Sequence, residues 1–480
     1  MKRTEIHTSK VPQRMMGNTF HRNSILRAIA LSITFSLSSC DVSHSKASDE
    51  GIYGIWEQVG YGNVFVINKN GADYYQYTRQ TCMQEKSLSN RELDENIHAI
   101  EVLAKQDAFS AYSHPEATFK TYFTRLDQLP GNCQAGRLIT TATPTQQFEH
   151  LWHNFNDYYA FFNQRGVDWQ QQYVTYRPQV NDDMSQEALF AVLSDMLAPI
   201  DDAHVSLDTY DDDFSPEQPD NLTTDLHRVF QRQSVIRDFD EFSDAQLNVV
   251  REVQQTYLSN TKQSGGSDNE VVLWGKLSRN IGYLQLNSMA DIGNNDFTAI
   301  KHIMQQVISD LQDVDALVID VRLNGGGFDG ISMIIANYFA RTEQLAMSKY
   351  TNNWQGRTHN VEAYLKPTEQ QLHVPIALLS SDMTVSAAEI FLLTMRSIPD
   401  VSVVGEASSG ALSDILSKTL LNGMEVSLSN EIYLDHAGRN FEGSGVPVDI
   451  ATTAFDLDGF AKGRDTALEA AIEHLKTQIQ

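Results

Sequence analysis

Ala316-Leu317-Val318-Ile319-Asp320-Val321 runs directly into Arg322-Leu323-Asn324-Gly325-Gly326-Gly327. The first six residues read as a buried strand, an apolar run too short for a helix. The glycines let the backbone turn sharply and leave N–H groups without side-chain cover. A helical pattern over 331–339 follows. Strand, exposed-amide turn and helix together make the repeating unit of a sheet with crossover helices. Amides at such a turn suit an anion, either a phosphate or the oxyanion of acyl transfer. The stretch has no Walker Lys and no G-x-G-x-x-G spacing, so it gives little support to nucleotide binding. A plain tight turn would look the same.

Outward from this unit the alternation continues. Strand-like runs occupy 281–286, 376–379 and 401–404, and helical runs occupy 297–311 and 386–395. Asn422-Gly423, between Leu420-Leu421 and Met424-Glu425-Val426, reads as a β-hairpin turn. The reading is an α/β core over 269–476. Upstream, the polar stretch 211–268 reads as an insertion or linker. Before it, 143–210 reads as a helical subdomain. Phe148, Leu151, Trp152, Phe155, Tyr159 and Phe162 share one helix face, with His150 and His153 as surface positions. A second helix carries Leu189, Val192, Leu193, Met196 and Leu197, stops before Pro199, and leads into Asp201-Asp202-Ala203-His204. Residues 51–142 have short β-like runs such as Val64-Phe65-Val66-Ile67 and read as a small β-rich N-terminal domain.

The first 39 residues read as a targeting signal: a basic leader followed by an apolar stretch too short to span a bilayer. It ends in Leu37-Ser38-Ser39-Cys40, similar to a bacterial lipobox in which the Cys becomes the acylated first residue. Residues 40–50 would be the tether. The expectation is a protein of the bacterial cell envelope, held on the periplasmic side by lipid alone. Asp41 would match inner-membrane retention. The remaining cysteines, Cys82 and Cys133, would form one disulfide in an oxidising compartment. With 36 Lys and Arg against 62 Asp and Glu, the net charge is −26, which argues against nucleic acid.

Ser386 stands in Ser381-Asp382-Met383-Thr384-Val385-Ser386-Ala387-Ala388-Glu389, after a strand and opening an apolar helix. A hydroxyl at a helix N-terminus sits in positive potential beside a free amide, which suits a nucleophile. Ser-x-x-Glu is equally a capping box. His204 ends a helical segment and opens a short strand-like run, a place for a base or for a solvated loop histidine.

Taken in order, Asp-h-Arg-x-Asn-Gly-Gly-Gly, Thr-x-Ser-Ala-Ala-Glu and Val403-Val404-Gly405-Glu406 resemble the S41 peptidase family. So do the closing segments Leu428 to Tyr433 and Phe441 to Asp449. Asp201-Asp202-Ala203-His204 is similar to the Asp-Gly-His segment of the branch related to the tricorn core. The resemblance covers roughly 145–475 and implies a crotonase/ClpP-like βα core. It implies a serine-type peptidase without cofactor or metal, acting on peptides or proteins, with Ser386 as nucleophile, His204 as general base and Glu442 as its support. The oxyanion donors would be the amides of Ala387 and of Gly325 or Gly326. Where the Ser-Lys branch carries a Gly-Lys-Gly, this chain reads Ala407 to Leu412 without Lys. Lys418, 418 − 386 = 32 positions after the serine, is the alternative base. The residue before His204 is Ala203, where tricorn has a serine, so Ser206 or a water would have to help orient the ring. A non-catalytic peptide- or ligand-binding lipoprotein on the same fold is the other alternative. The stretch 211–268 is too short for a PDZ domain, and the oligomeric state is open.

Overall fold

The computed structural model describes residues 52–103, 107–216, 220–264, 271–292 and 297–479. The signal segment, Cys40 and the tether lie outside the described residues. Among the described residues no helix is long and apolar enough to cross a membrane.

Strand Ala316–Asp320 is buried along its whole length, with parallel neighbours Ile281–Leu286 on one side and Ile376–Ser380 on the other. Next to Ile376–Ser380 lies Val401–Gly405, and then the short Ile450–Ala451, both parallel. Both faces of this sheet are covered. Leu317, Ile319 and Leu378 pack under helices Thr298–Leu311, Asp329–Asn337 and Ala387–Met395. Val318, Ala377 and Leu379 pack under the last helix, Thr466–Gln478, through Ala467, Leu468, Ala471 and Leu475. Parallel strands need such double cover, which explains why they read as continuous apolar runs. Each fully buried Leu or Ile here contributes roughly 1.5–3 kcal/mol.

The stretch 211–268 does not stand off as a linker. Helix Phe239–Thr256 buries Phe242, Val250 and Val253 against Ala454, Phe455 and Phe460. Ser259–Ser264 then pairs antiparallel with Val272–Lys276 as the edge strand of the core sheet. Its six residues, Ser-Asn-Thr-Lys-Gln-Ser, are all polar. They reach the sheet by main-chain hydrogen bonds, which leave no mark on side-chain pattern.

The N-terminal domain is one seven-stranded sheet in which consecutive strands are mostly neighbours, with Gly54–Gln58 at its centre between Asn63–Asn68 and Thr121–Leu126. Cys82, on strand Cys82–Ser89, is bonded to Cys133, with Cα atoms 5.1 Å apart. Helix Pro144–Tyr158 lies between this domain and the rest. One face packs Phe148, Leu151 and Phe155 into the helical subdomain. The other meets the β domain, where Arg79 pairs with Asp157 at 2.8 Å and Tyr158 donates to Tyr77 O. His150, read from the sequence as a surface position, is buried there on Thr81 Oγ1 at 2.8 Å, and burial pushes its pKa down to about 3.

Two smaller sheets complete the molecule. Ile415–Thr419 and Glu425–Ser429 form the hairpin around Asn422-Gly423, and Ser206–Asp208 pairs with the second of these strands. After Asn430 the chain continues as Glu431–Asp435, which pairs with Gln344–Asn353.

Candidate active site

The turn that carries Ser386 is tied to the end of the central strand. Ser381 donates to Arg322 O at 2.6 Å, and Thr384 to Val321 O at 2.9 Å. Arg322 is buried between Asp320 and Asp465, at 2.6 and 2.8 Å, and also donates to Ala454 O. The Asp-x-Arg of the glycine motif is therefore a strut beneath the site. Asn324 extends it: its side chain donates to Leu286 O and accepts from Gly326 N, while its carbonyl accepts from Val385 N at 3.0 Å.

Ser386 has φ 56° and ψ −125°. A non-glycine residue there is strained, a conformation that persists only where the surroundings hold it. The next residue begins helix Ala387–Met395, and among the described residues no acceptor engages the N–H of Ala387 or of Gly325. Of the two glycines offered for the oxyanion, Gly325 or Gly326, the second has its N–H engaged by Asn324 Oδ1 at 2.9 Å. What it contributes is closeness. Gly326 has φ +102°, and a Cβ there would lie 2.8 Å from Ser386 Cβ and 2.9 Å from Val385 O. Only glycine lets the two turns touch.

Glu389 does more than cap its helix. It is buried, and it accepts from Ser386 N at 3.1 Å, Ser408 Oγ at 2.6 Å, Gly410 N at 2.7 Å and Ala411 N at 2.8 Å. Glu442 holds the next residues of the same loop. It accepts from Leu412 N at 2.9 Å and Ser413 N at 3.0 Å, and pairs with Arg165 at 3.1 Å. Arg165 also donates to Gly410 O. The loop 408–413 is thus suspended between two buried carboxylates, one of them bonded to the amide of Ser386.

His204 is buried just before strand Ser206–Asp208. Its N–H donates to Asp202 Oδ1 at 2.9 Å and its carbonyl accepts from Ser427 Oγ at 2.7 Å. Asp202 also accepts from Tyr159 OH and Ser429 Oγ. Ser206, a candidate to orient the ring, donates instead to Asp208 and shares a hydrogen bond with Ser427 Oγ. Lys418 is buried and turned toward the N-terminal domain, where it donates to Tyr61 O and Asn63 Oδ1, both at 2.7 Å. Burial pushes its pKa down to about 7. Arg165, Asp202 and Ser408 were not singled out from the sequence. Each meets groups far away in the sequence, which no local motif records. Among the described residues no three His, Cys, Asp or Glu side chains are grouped as metal ligands would be.

Burial pushes Glu389 up to about 7, with its four donors opposing the shift. It pushes Glu442 up to about 8, helped by the charges of Asp202 and Glu389 and opposed by Arg165. A carboxyl raised in the fold binds its proton more tightly there than in the unfolded chain. The stability it adds is full below its ordinary value, 4.5 for Glu389, and is lost as pH rises through about 7. Glu389→Gln should therefore flatten the pH dependence of Tm between about pH 5 and 8. Calorimetry across that range giving identical slopes for both proteins would remove Glu389 from this role.

Residues 280–452 match peptidase family S41, and residues 140–198 match the tricorn protease C1 domain. Among solved structures, the chain is similar to a protein assigned as a peptidase from Parabacteroides merdae, with 26% identity and a TM-score of 0.56 over 70% of this chain and 97% of that one. It also matches mature CPAF, with 12% identity and a TM-score of 0.49 over 70% and 97% of the two chains. A third match is a photosystem II D1 C-terminal processing protease, with 15% identity and a TM-score of 0.40 over 68% and 99%.

Proposed function

We propose that the chain, whose residues 280–452 match peptidase family S41, is a serine-type peptidase with Ser386 as its nucleophile and His204 as its general base. The observation that carries the nucleophile is the turn at Ser386, and the base rests on the resemblance of Asp201-Asp202-Ala203-His204 to the tricorn-type segment. A strained serine stands immediately before an unengaged helix-start amide, with the glycine turn in contact. His204 takes the Ser386 proton as Oγ attacks the peptide carbonyl, and returns it to the leaving amine. Water then releases the acyl group by the same proton path. The amides of Ala387 and Gly325 receive the oxyanion, and one such donor is worth about 2.7–4 kcal/mol of barrier. Glu442 supports the site by holding the loop 408–413, with no proton transfer of its own.

A fluorophosphonate probe should label Ser386 in the wild-type protein, located by peptide mapping. A folded protein that takes no label would favour the rival, a peptide- or ligand-binding lipoprotein on the same fold. The substrates are peptides or proteins.

The proposed location is the periplasmic side of a bacterial envelope, through acylation at Cys40. In that case Cys40→Ser yields an exported protein that carries no acyl label and leaves the membrane fraction. Persistent labelling of the variant would contradict the anchor.

A further inference from the structure

The first turn of the N-terminal domain, Gly60-Tyr61-Gly62-Asn63, does not end in solvent. It is seated in the peptidase core. Lys418 grips it through Tyr61 O and Asn63 Oδ1, and more distantly through Gly62 O at 3.4 Å. Asn430 donates to Gly60 O at 3.4 Å. A Cβ on Gly60 would lie 2.2 Å from Thr351 Oγ1, and one on Gly62 would lie 2.4 Å from the Tyr158 ring. Both glycines have positive φ, +95° and +65°. The turn is therefore fitted to its socket by backbone shape as well as by hydrogen bonds.

At its tip, Tyr61 donates its hydroxyl to the Glu431 carboxylate, which also holds Lys349 at 2.6 Å. Burial and the Glu431 charge raise the Tyr61 pKa well above the ordinary phenol value, so the hydroxyl keeps its proton. From Glu431 the connection runs on without a gap. Glu431 N donates to Ser413 Oγ at 3.1 Å, and Ser413 N donates to Glu442. Residues 408–411 of the same loop hang on Glu389, which accepts the N–H of Ser386. A second segment of the same domain reaches the opposite wall. Glu116 pairs with Lys301 at 2.6 Å, and a Cβ on Gly330 would lie 2.3 Å from Glu116 O, three residues past the glycine turn.

We propose that the N-terminal β domain is a positioning component of the active site, with Tyr61 as the residue that sets the loop 408–413 through Glu431 and Ser413. The proposal rests on Ser386 being the nucleophile. Buried polar networks of this kind have few alternative arrangements, because a broken link leaves a buried donor or acceptor unpaired. Loosening Tyr61 should therefore shift the loop without unfolding it. Substrate affinity should change little, since Tyr61 meets the loop only through Glu431 and Ser413.

Tyr61→Phe removes only the hydroxyl. In the full-length protein it should lower kcat by about tenfold or more and leave KM within about twofold, with fluorophosphonate labelling of Ser386 slowed in proportion. Amide exchange at 410–413 should speed up while the core strands stay protected. Ser413→Ala should behave alike, and the double variant should lose little more than either single one, because both break one connection. Normal kcat and unchanged exchange at 410–413 in a folded Tyr61→Phe would overturn the proposal, as would strictly additive losses in the double variant. Failure of the wild-type protein to label at Ser386 would be a separate result. It would remove the nucleophile assignment, while amide exchange would still report whether Tyr61 orders the loop.

Discussion

With His204 as the proposed base, a folded His204→Ala protein should lose turnover nearly as completely as Ser386→Ala. A serine hydroxyl is a weak nucleophile at its own pKa and needs a base in place at the moment of attack. Removing either member of such a unit costs about as much as removing both, commonly a factor of ~10⁴–10⁶ in kcat. Lys418 is the competing base, and its Nζ already serves three oxygens of the N-terminal turn. Lys418→Met should lower Tm, and its loss of kcat should fall far short of that in His204→Ala. Glu442→Gln should also fall short, since that carboxylate holds loop amides and Arg165. Steady-state kinetics on variants with confirmed melting transitions decides the matter. A dead but folded Lys418→Met, beside an active His204→Ala, would reassign the base and leave Ser386 as nucleophile.

Two neighbouring glycines should respond in opposite ways. Gly326→Ala places a methyl group 2.8 Å from Ser386 Cβ on a backbone at φ +102°, so either the glycine turn or the serine turn must move. Displacing the oxyanion donors from the nucleophile should reduce kcat about 10²–10³-fold, the usual effect of losing one donor. A Cβ on Gly325 meets nothing within 4 Å, and Gly325→Ala should keep the fold and its melting temperature. Equal kcat and Tm for Gly326→Ala and wild type would show that the two turns do not depend on each other.

The α/β core was legible because its strands are buried on both faces. Ile281–Leu286 could be read to its exact ends, and Ala316–Asp320 to within one residue. The helix start at Ser386 was legible because an apolar run follows directly on such a strand. The edge strand Ser259–Ser264 was not, since its pairing uses main-chain groups that polar side chains do not advertise. His150 was misread because helix Pro144–Tyr158 is buried on two sides, and a polar residue against another domain looks the same in sequence as one against water. The suspension of 408–413 was out of reach for a different reason. Glu389 announced a helix cap, and only the fold brings Ser408, Gly410 and Ala411 to it.

The conformation of Ser386 carries a cost in stability. A glycine at φ 56°, ψ −125° would be relieved of strain, of order 1–3 kcal/mol at such positions. Glycine's greater freedom in the unfolded chain offsets about 0.4–1 kcal/mol of that relief. If Ser386 is the nucleophile, the remaining strain sits at the side chain whose hydroxyl attacks the substrate.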